Sequence, residues 1–117
     1  MNGTTAAVVI VFLLMCVKRL LLSLAVQHTS LEVLAVVLCG LGDNEAKQLA
    51  TSLTNNTTLR ELWLYRNRIG EDGVRALSDV LQSNNTMELL GLWDNNYSES
   101  TGRRVRHELK HITDLYV

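Results

Sequence analysis

Aliphatic residues recur in this chain at one fixed interval of 28 residues, across three stretches beginning at Leu31, Leu59 and Met87. The same interval aligns Leu34, Leu62 and Leu90; Val36, Leu64 and Leu92; Cys39, Asn67 and Asn95; and Leu41, Ile69 and Tyr97. It continues through Leu49, Leu77 and Val105, then Leu53, Leu81 and Leu109. A chain that repeats in this way must place equivalent residues in equivalent surroundings, so it builds a stack of similar units.

The columns carry different periods. Leu34 and Val36, with their counterparts, alternate with period two and face inward from a short strand. Stacked units then form a parallel sheet. Asn67 and Asn95 carry both amide donors and an acceptor, which can satisfy backbone groups where the chain leaves the strand. Cys39 holds the same column with a weaker partner, so its rung of this structural ladder is expected to be weaker. Gly70-Glu71-Asp72-Gly73 reads as a turn into a helix with acidic residues at the positive end of its dipole. Val74, Leu77 and Leu81 supply the inner helix face. The pattern predicts helices over 44–54, 72–83 and 100–111, with Asn56 and Asn84 as left-handed helix stops. The chain contains no proline, so nothing interrupts regular structure.

The order L-x-x-L-x-L-x-x-N/C-x-L followed by a helix resembles leucine-rich repeat proteins. The 28-residue period with a full helix resembles the ribonuclease-inhibitor-like class, and Ile69-Gly-Glu-Asp-Gly-Val-Arg-Ala-Leu77 is similar to the C-terminal repeats of NOD-like receptors. The resemblance covers about residues 17–111. It implies an α/β solenoid with a parallel sheet on the concave side, helices on the convex side, and repeats at 29–56, 57–84 and 85–117. It also implies a detached segment of such a receptor, since the G-x-x-x-x-G-K-[ST] phosphate loop of a nucleotide-binding domain is not in the sequence. The third repeat departs from the pattern at Met87, Tyr97, Ser98 and Thr101, as terminal repeats do.

Residues 1–28 form an apolar N-terminal segment. The register places Leu21 and Ala25 in the columns of Leu49 and Leu53, which predicts a capping helix. A membrane passage through residues 6–26 is the alternative, with Lys18 and Arg19 inside the apolar stretch. A secretory signal is a third reading, against which stand the lack of a positive start and of a clear cleavage site. Cytoplasmic location is expected, membrane association being the alternative. Cys16 and Cys39 read as separate reduced thiols.

The strand positions between the inward leucines are Trp63, Tyr65 and Arg66 in one repeat, and Gly91, Trp93 and Asp94 in the next. Val37, Tyr65 and Trp93 share a column, and adjacent strands lie about 4.8 Å apart, so the rings are neighbours. Trp, Tyr and Arg dominate interface hot spots. Trp63, Tyr65, Arg66, Trp93 and Asp94 are therefore the expected contact with another protein, and the resemblance also implies use of this face. The alternative is that the rings only cover the sheet and support one another. No enzymatic activity or cofactor is expected.

His107-Glu108-Leu109-Lys110-His111 matches H-E-x-x-H, the signature of a zinc hydrolase on a helix. Leu109 already fills a core column, and no third ligand follows with suitable spacing, so solvated histidines are the expected reading. Arg103, Arg104, Arg106 and Lys110 make the last helix basic, but the chain carries 11 basic against 12 acidic residues and no aromatics interleave with these charges. Nucleic-acid binding is therefore not expected. N-x-[ST] triplets start at Asn2, Asn55, Asn56, Asn84 and Asn96; those at Asn55, Asn56 and Asn84 belong to the turn pattern of the repeat.

Overall fold

Strand, turn and helix alternate as the columns require in a computed structural model, which describes residues 31–117 and, as backbone, 7–11. The strands are β1 (Ala7–Val11), β2 (Leu31–Val36), β3 (Glu61–Trp63), β4 (Leu89–Gly91) and β5 (Asp114–Tyr116). The helices are α1 (Asp43–Leu53), α2 (Glu71–Leu81) and α3 (Glu99–Glu108). Among the described residues the strands form one sheet in chain order, every neighbouring pair parallel. Leu34, Leu62, Leu90 and Leu115 lie side by side across β2 to β5. With Leu49, Leu77 and Val105 from the helices they fill one continuous core. This is the α/β solenoid expected from the repeat.

The two ends differ from expectation. Ala7–Val11 is a strand, not the start of a capping helix. Four of its five residues are β-branched, which restricts the first side-chain torsion and favours extended backbone. Leu21, Ala25, Cys16 and most of the 6–26 stretch lie outside the described residues. Among the described residues no helix is long and apolar enough to cross a membrane. At the other end β5 adds a strand beyond the three repeats. Leu115 pairs with Leu90, an interval of 25 rather than 28, because α3 is one residue shorter than α2 and the link from α3 to β5 is two residues shorter than that from α2 to β4.

Asn67 ties two repeats together. Its Oδ1 accepts from the backbone N–H groups of Cys39 at 3.0 Å and Leu41 at 3.2 Å. Its Nδ2 donates to the carbonyls of Val36 and Leu64, both at 2.8 Å, and meets that of Tyr65 at 3.3 Å. Asn95 repeats the device, accepting from Ile69 N–H at 2.9 Å and donating to Leu64 and Leu92 carbonyls at 3.0 and 2.7 Å. Cys39 Sγ meets the Val37 carbonyl at 3.3 Å, two residues back, as Asn67 meets Tyr65.

The predicted left-handed stops at Asn56 and Asn84 are not found. Among the described non-glycine residues the positive φ angles belong to Leu38 (59°), Arg66 (59°) and Asp94 (61°), one column at the strand exit. The helices end instead in right-handed residues, Thr54 and Gln82. Asn56 Oδ1 accepts from the N–H groups of Thr58 and Leu59 at 3.1 and 2.8 Å. Asn84 Oδ1 accepts from Thr86 and Met87, both at 2.8 Å. These asparagines turn the chain into the next strand, a use of the short amide that needs no left-handed backbone.

Acidic residues at the helix starts reach one repeat ahead. Asp43 Oδ1 accepts from Gly70 N–H at 2.6 Å and Gly73 N–H at 3.1 Å. Glu71, in the same column, accepts from Ser98 N–H at 2.5 Å and from the Thr101 hydroxyl. The Thr101 hydroxyl, and after it the Ser98 N–H, hold the Glu71 carboxyl below its ordinary value of 4.5. A depressed folded value gives stability that is complete above the ordinary one and lost as pH falls through the depressed one. The thermal midpoint should therefore fall with acidification below 4.5, and Glu71→Gln should flatten that acid limb. An identical acid limb in the variant would show that Glu71 does not contribute. The residue is half-exposed, so solvent screens the interaction and the change is small.

Candidate functional site

The outward face of the sheet collects the aromatic residues. Strand alternation turns Trp63 and Tyr65 away from the core while Leu62 and Leu64 are fully buried. The parallel register then sets Trp63, Gly91 and Tyr116 in one row across β3, β4 and β5. Tyr65 and Trp93 stack with centroids 4.4 Å apart and planes 3° from parallel. Trp93 stands edge-on to Trp63 at 6.1 Å and to Tyr116 at 5.8 Å. Trp63 and Tyr116 are near parallel at 6.1 Å. Such geometries are favourable beyond the area they bury. Trp93 and Tyr116 nonetheless remain exposed, at 36% and 46%.

Gly91 makes this cluster fit. A Cβ there would lie 2.9 Å from Trp93 Cζ3 and 3.3 Å from Trp63 Cε3. The two indoles lean into the space a side chain would take. Both obstacles are ring edges, which can swing outward. Gly91→Ala should therefore change stability by about 1 kcal/mol or less while increasing iodide quenching of tryptophan fluorescence. Unchanged quenching would mean that the rings do not rest on Gly91.

Charged groups border the rings. Arg66 and Asp94, neighbours in the left-handed column, form an ion pair at 3.4 Å. Arg60 holds Glu88 at 2.6 Å and Glu32 at 3.8 Å. Glu61 accepts from Trp63 Nε1 at 3.1 Å. Asp114 occupies the Glu61 row on β5 and is exposed.

All five expected contact residues, Trp63, Tyr65, Arg66, Trp93 and Asp94, lie on this face. Val37, in the column of Tyr65 and Trp93, is buried and takes no part. The pattern placed Gly91 on this face without giving it a role, and did not single out Tyr116, Glu61 or Leu38. Leu38, itself in the left-handed backbone of its column, is 59% exposed. Tyr116 falls off the 28-residue interval, so column alignment could not place it.

Of the H-E-x-x-H residues, His107 is exposed, while Glu108 and His111 hydrogen-bond the preceding repeat. α3 ends at Glu108, before His111, so the two histidines do not share a helix face. Glu108 Oε1 accepts from Ser78 Oγ at 3.0 Å. His111 Nε2 lies 3.0 Å from the Leu81 carbonyl and 3.2 Å from that of Asn84, which occupies the open end of α2. Among the described residues no group of three or more His, Cys, Asp or Glu is arranged to hold a metal ion.

A family model described as Leucine Rich repeat matches residues 55–78. No curated protein matches the chain. Among solved structures, Leiomodin-1 Actin-Binding Site 2 (ABS2) is similar with a TM-score of 0.81 at 23% identity, over 93% of this chain and 68% of that one. At that identity the likeness concerns the fold. Column spacing, parallel topology and the structural match agree on the fold, an α/β solenoid of the leucine-rich-repeat type, and the family model matches its middle repeat.

Proposed function

We propose that this chain is a protein-interaction module, not an enzyme, and that it engages its partner through the outward sheet face around Trp63, Tyr65, Arg66, Trp93 and Asp94. The observation carrying this reading is the cluster of four aromatic rings on the outward sheet face, Trp63 and Tyr65 half-buried and Trp93 and Tyr116 exposed. Rigid aromatics give large contact area at low entropic cost, which is why they concentrate in hot spots. The alternative, that the rings only brace the sheet, explains Tyr65 against Trp93 but leaves the exposure of Trp93 and Tyr116 without a purpose. The leiomodin structure is, by its name, an actin-binding site, an instance of this fold meeting a protein; its partner is not carried over at 23% identity. The NOD-like-receptor resemblance of residues 69–77 supports reading the chain as a cytoplasmic segment of such a protein.

A photo-crosslinking amino acid placed at Tyr65, and separately at Ser83 on the helix side, tests the face. A discrete adduct from position 65 and none from 83 is expected. Adducts from 83 alone, or equally from both, would overturn the reading.

A further inference from the structure

The charge around the rings is one-sided. Among the described residues, Glu61, Asp94 and Asp114 beside the rings, with Glu32 and Glu88 in the column before Glu61, are set against two cations, Arg60 of that same column and Arg66. Both cations are already engaged, Arg60 by Glu32 and Glu88 and Arg66 by Asp94. Among the described residues Glu61 and Asp114 form no ion pair. They occupy one row, on β3 and β5, immediately beside the row of Trp63 and Tyr116. The surplus is local, because the whole chain is within one charge of neutral. Of the compensating cations, Arg103, Arg104 and Lys110 sit on or just after α3, and Arg106 reaches from α3 to the Val117 carbonyl at 2.9 Å, at the end of β5.

Aromatic faces carry a negative quadrupole and attract ammonium and, more often, guanidinium groups. Carboxylates beside them reinforce that attraction and repel an anionic partner. The flat guanidinium can stack on an indole or phenol while its N–H groups reach a carboxylate, which an ammonium does less well. We infer that the occupant of this face is an arginine-rich segment of a partner protein, whose guanidinium groups stack on Trp93 and Tyr116 and pair with Glu61 and Asp114. This deepens the sheet-face reading proposed above and rests on it.

The chain supplies its own probe. It contains two tryptophans, Trp63 and Trp93, and both belong to the cluster, so tryptophan emission reports on this face alone. The full chain is titrated with a nine-residue peptide alternating glycine and arginine, beside the same peptide with glutamate in place of arginine. The arginine peptide should give a saturable emission change that weakens as salt is raised, and the glutamate peptide none. Glu61→Gln with Asp114→Asn should weaken arginine-peptide binding at least tenfold without altering the melt, and Tyr116→Leu should do so as well. An arginine peptide without saturable effect, equal responses to both peptides, or no loss in these variants would overturn the inference. So would emission that changes with protein concentration alone together with dimer in sedimentation, since a second copy would then occupy the face. Failure here alongside a discrete adduct from position 65 removes the cationic partner and leaves the sheet-face reading standing. Loss of that adduct removes both.

Discussion

Asn67→Ala should remove about 4 kcal/mol of stability, roughly a third to a half of what a small domain possesses. The side chain is buried, with 7% of its surface exposed, and satisfies five backbone groups belonging to two repeats. Alanine leaves the Cys39 and Leu41 N–H groups and the Val36 and Leu64 carbonyls facing a gap. Each buried polar group left without a partner costs about 1–3 kcal/mol. Partial entry of water keeps the total below the simple sum. Asn67→Asp should be no better: it keeps the acceptor, discards the donors, and points a carboxylate at carbonyl oxygens. Asn95→Ala should cost less, about 2 kcal/mol, because that residue is half-buried and water can replace part of the amide. Urea unfolding followed by circular dichroism measures all three. A loss under about 1 kcal/mol for Asn67→Ala would mean that the strand exits hold their shape without the ladder.

The contrast between these asparagines and the ends of the solenoid shows what the sequence could reveal. Residues in a repeated column announce their surroundings several times, so Leu34, Leu62, Leu90 and the Asn67 column were readable at once. Trp63, Tyr65 and Trp93 were readable because strand alternation is rigid: between two inward leucines there is one outward position. Three things escaped for physical reasons. The final unit is short, so Leu115 and Tyr116 answer Leu90 and Gly91 after 25 residues, and a search at 28 passes over them. Left-handed backbone falls on Leu38, Arg66 and Asp94, residues that do not advertise it, while Asn56 and Asn84, which do, spend their amides on the following turn. Thr101 looked like a lost glycine in a decaying repeat. It instead offers Glu71 a hydroxyl where Gly73 offers Asp43 a bare N–H, so the acid and its recipient change together from one repeat to the next.

The Asp43 and Gly73 pair leads to the other large effect. Gly73 is buried in the first turn of α2, where helix propensity alone says that alanine should stabilise by about 1 kcal/mol. Packing reverses the sign. A Cβ on Gly73 would lie 2.7 Å from Asp43 Oδ1, 2.7 Å from Ile69 Cγ2 and 3.0 Å from Ala46 Cβ. None of these can retreat cheaply. Asp43 is held by the Gly70 and Gly73 N–H groups, and Ile69 and Ala46 have no exposed surface. Overpacking costs about 1–3 kcal/mol, and displacing the Asp43 carboxylate forfeits a helix cap worth about 1 kcal/mol. Gly73→Ala should therefore destabilise by about 1–2 kcal/mol, and Gly73→Val, with two further methyl groups, by about 3 kcal/mol. Removing the Asp43 side chain first relieves one of the three collisions, so Gly73→Ala should cost less in an Asp43→Ala background, a coupling that a double-mutant cycle reads directly. If Gly73→Ala instead raised the urea midpoint, propensity would outweigh packing at this position, and the close approach of α1 to α2 could not be what selects glycine there.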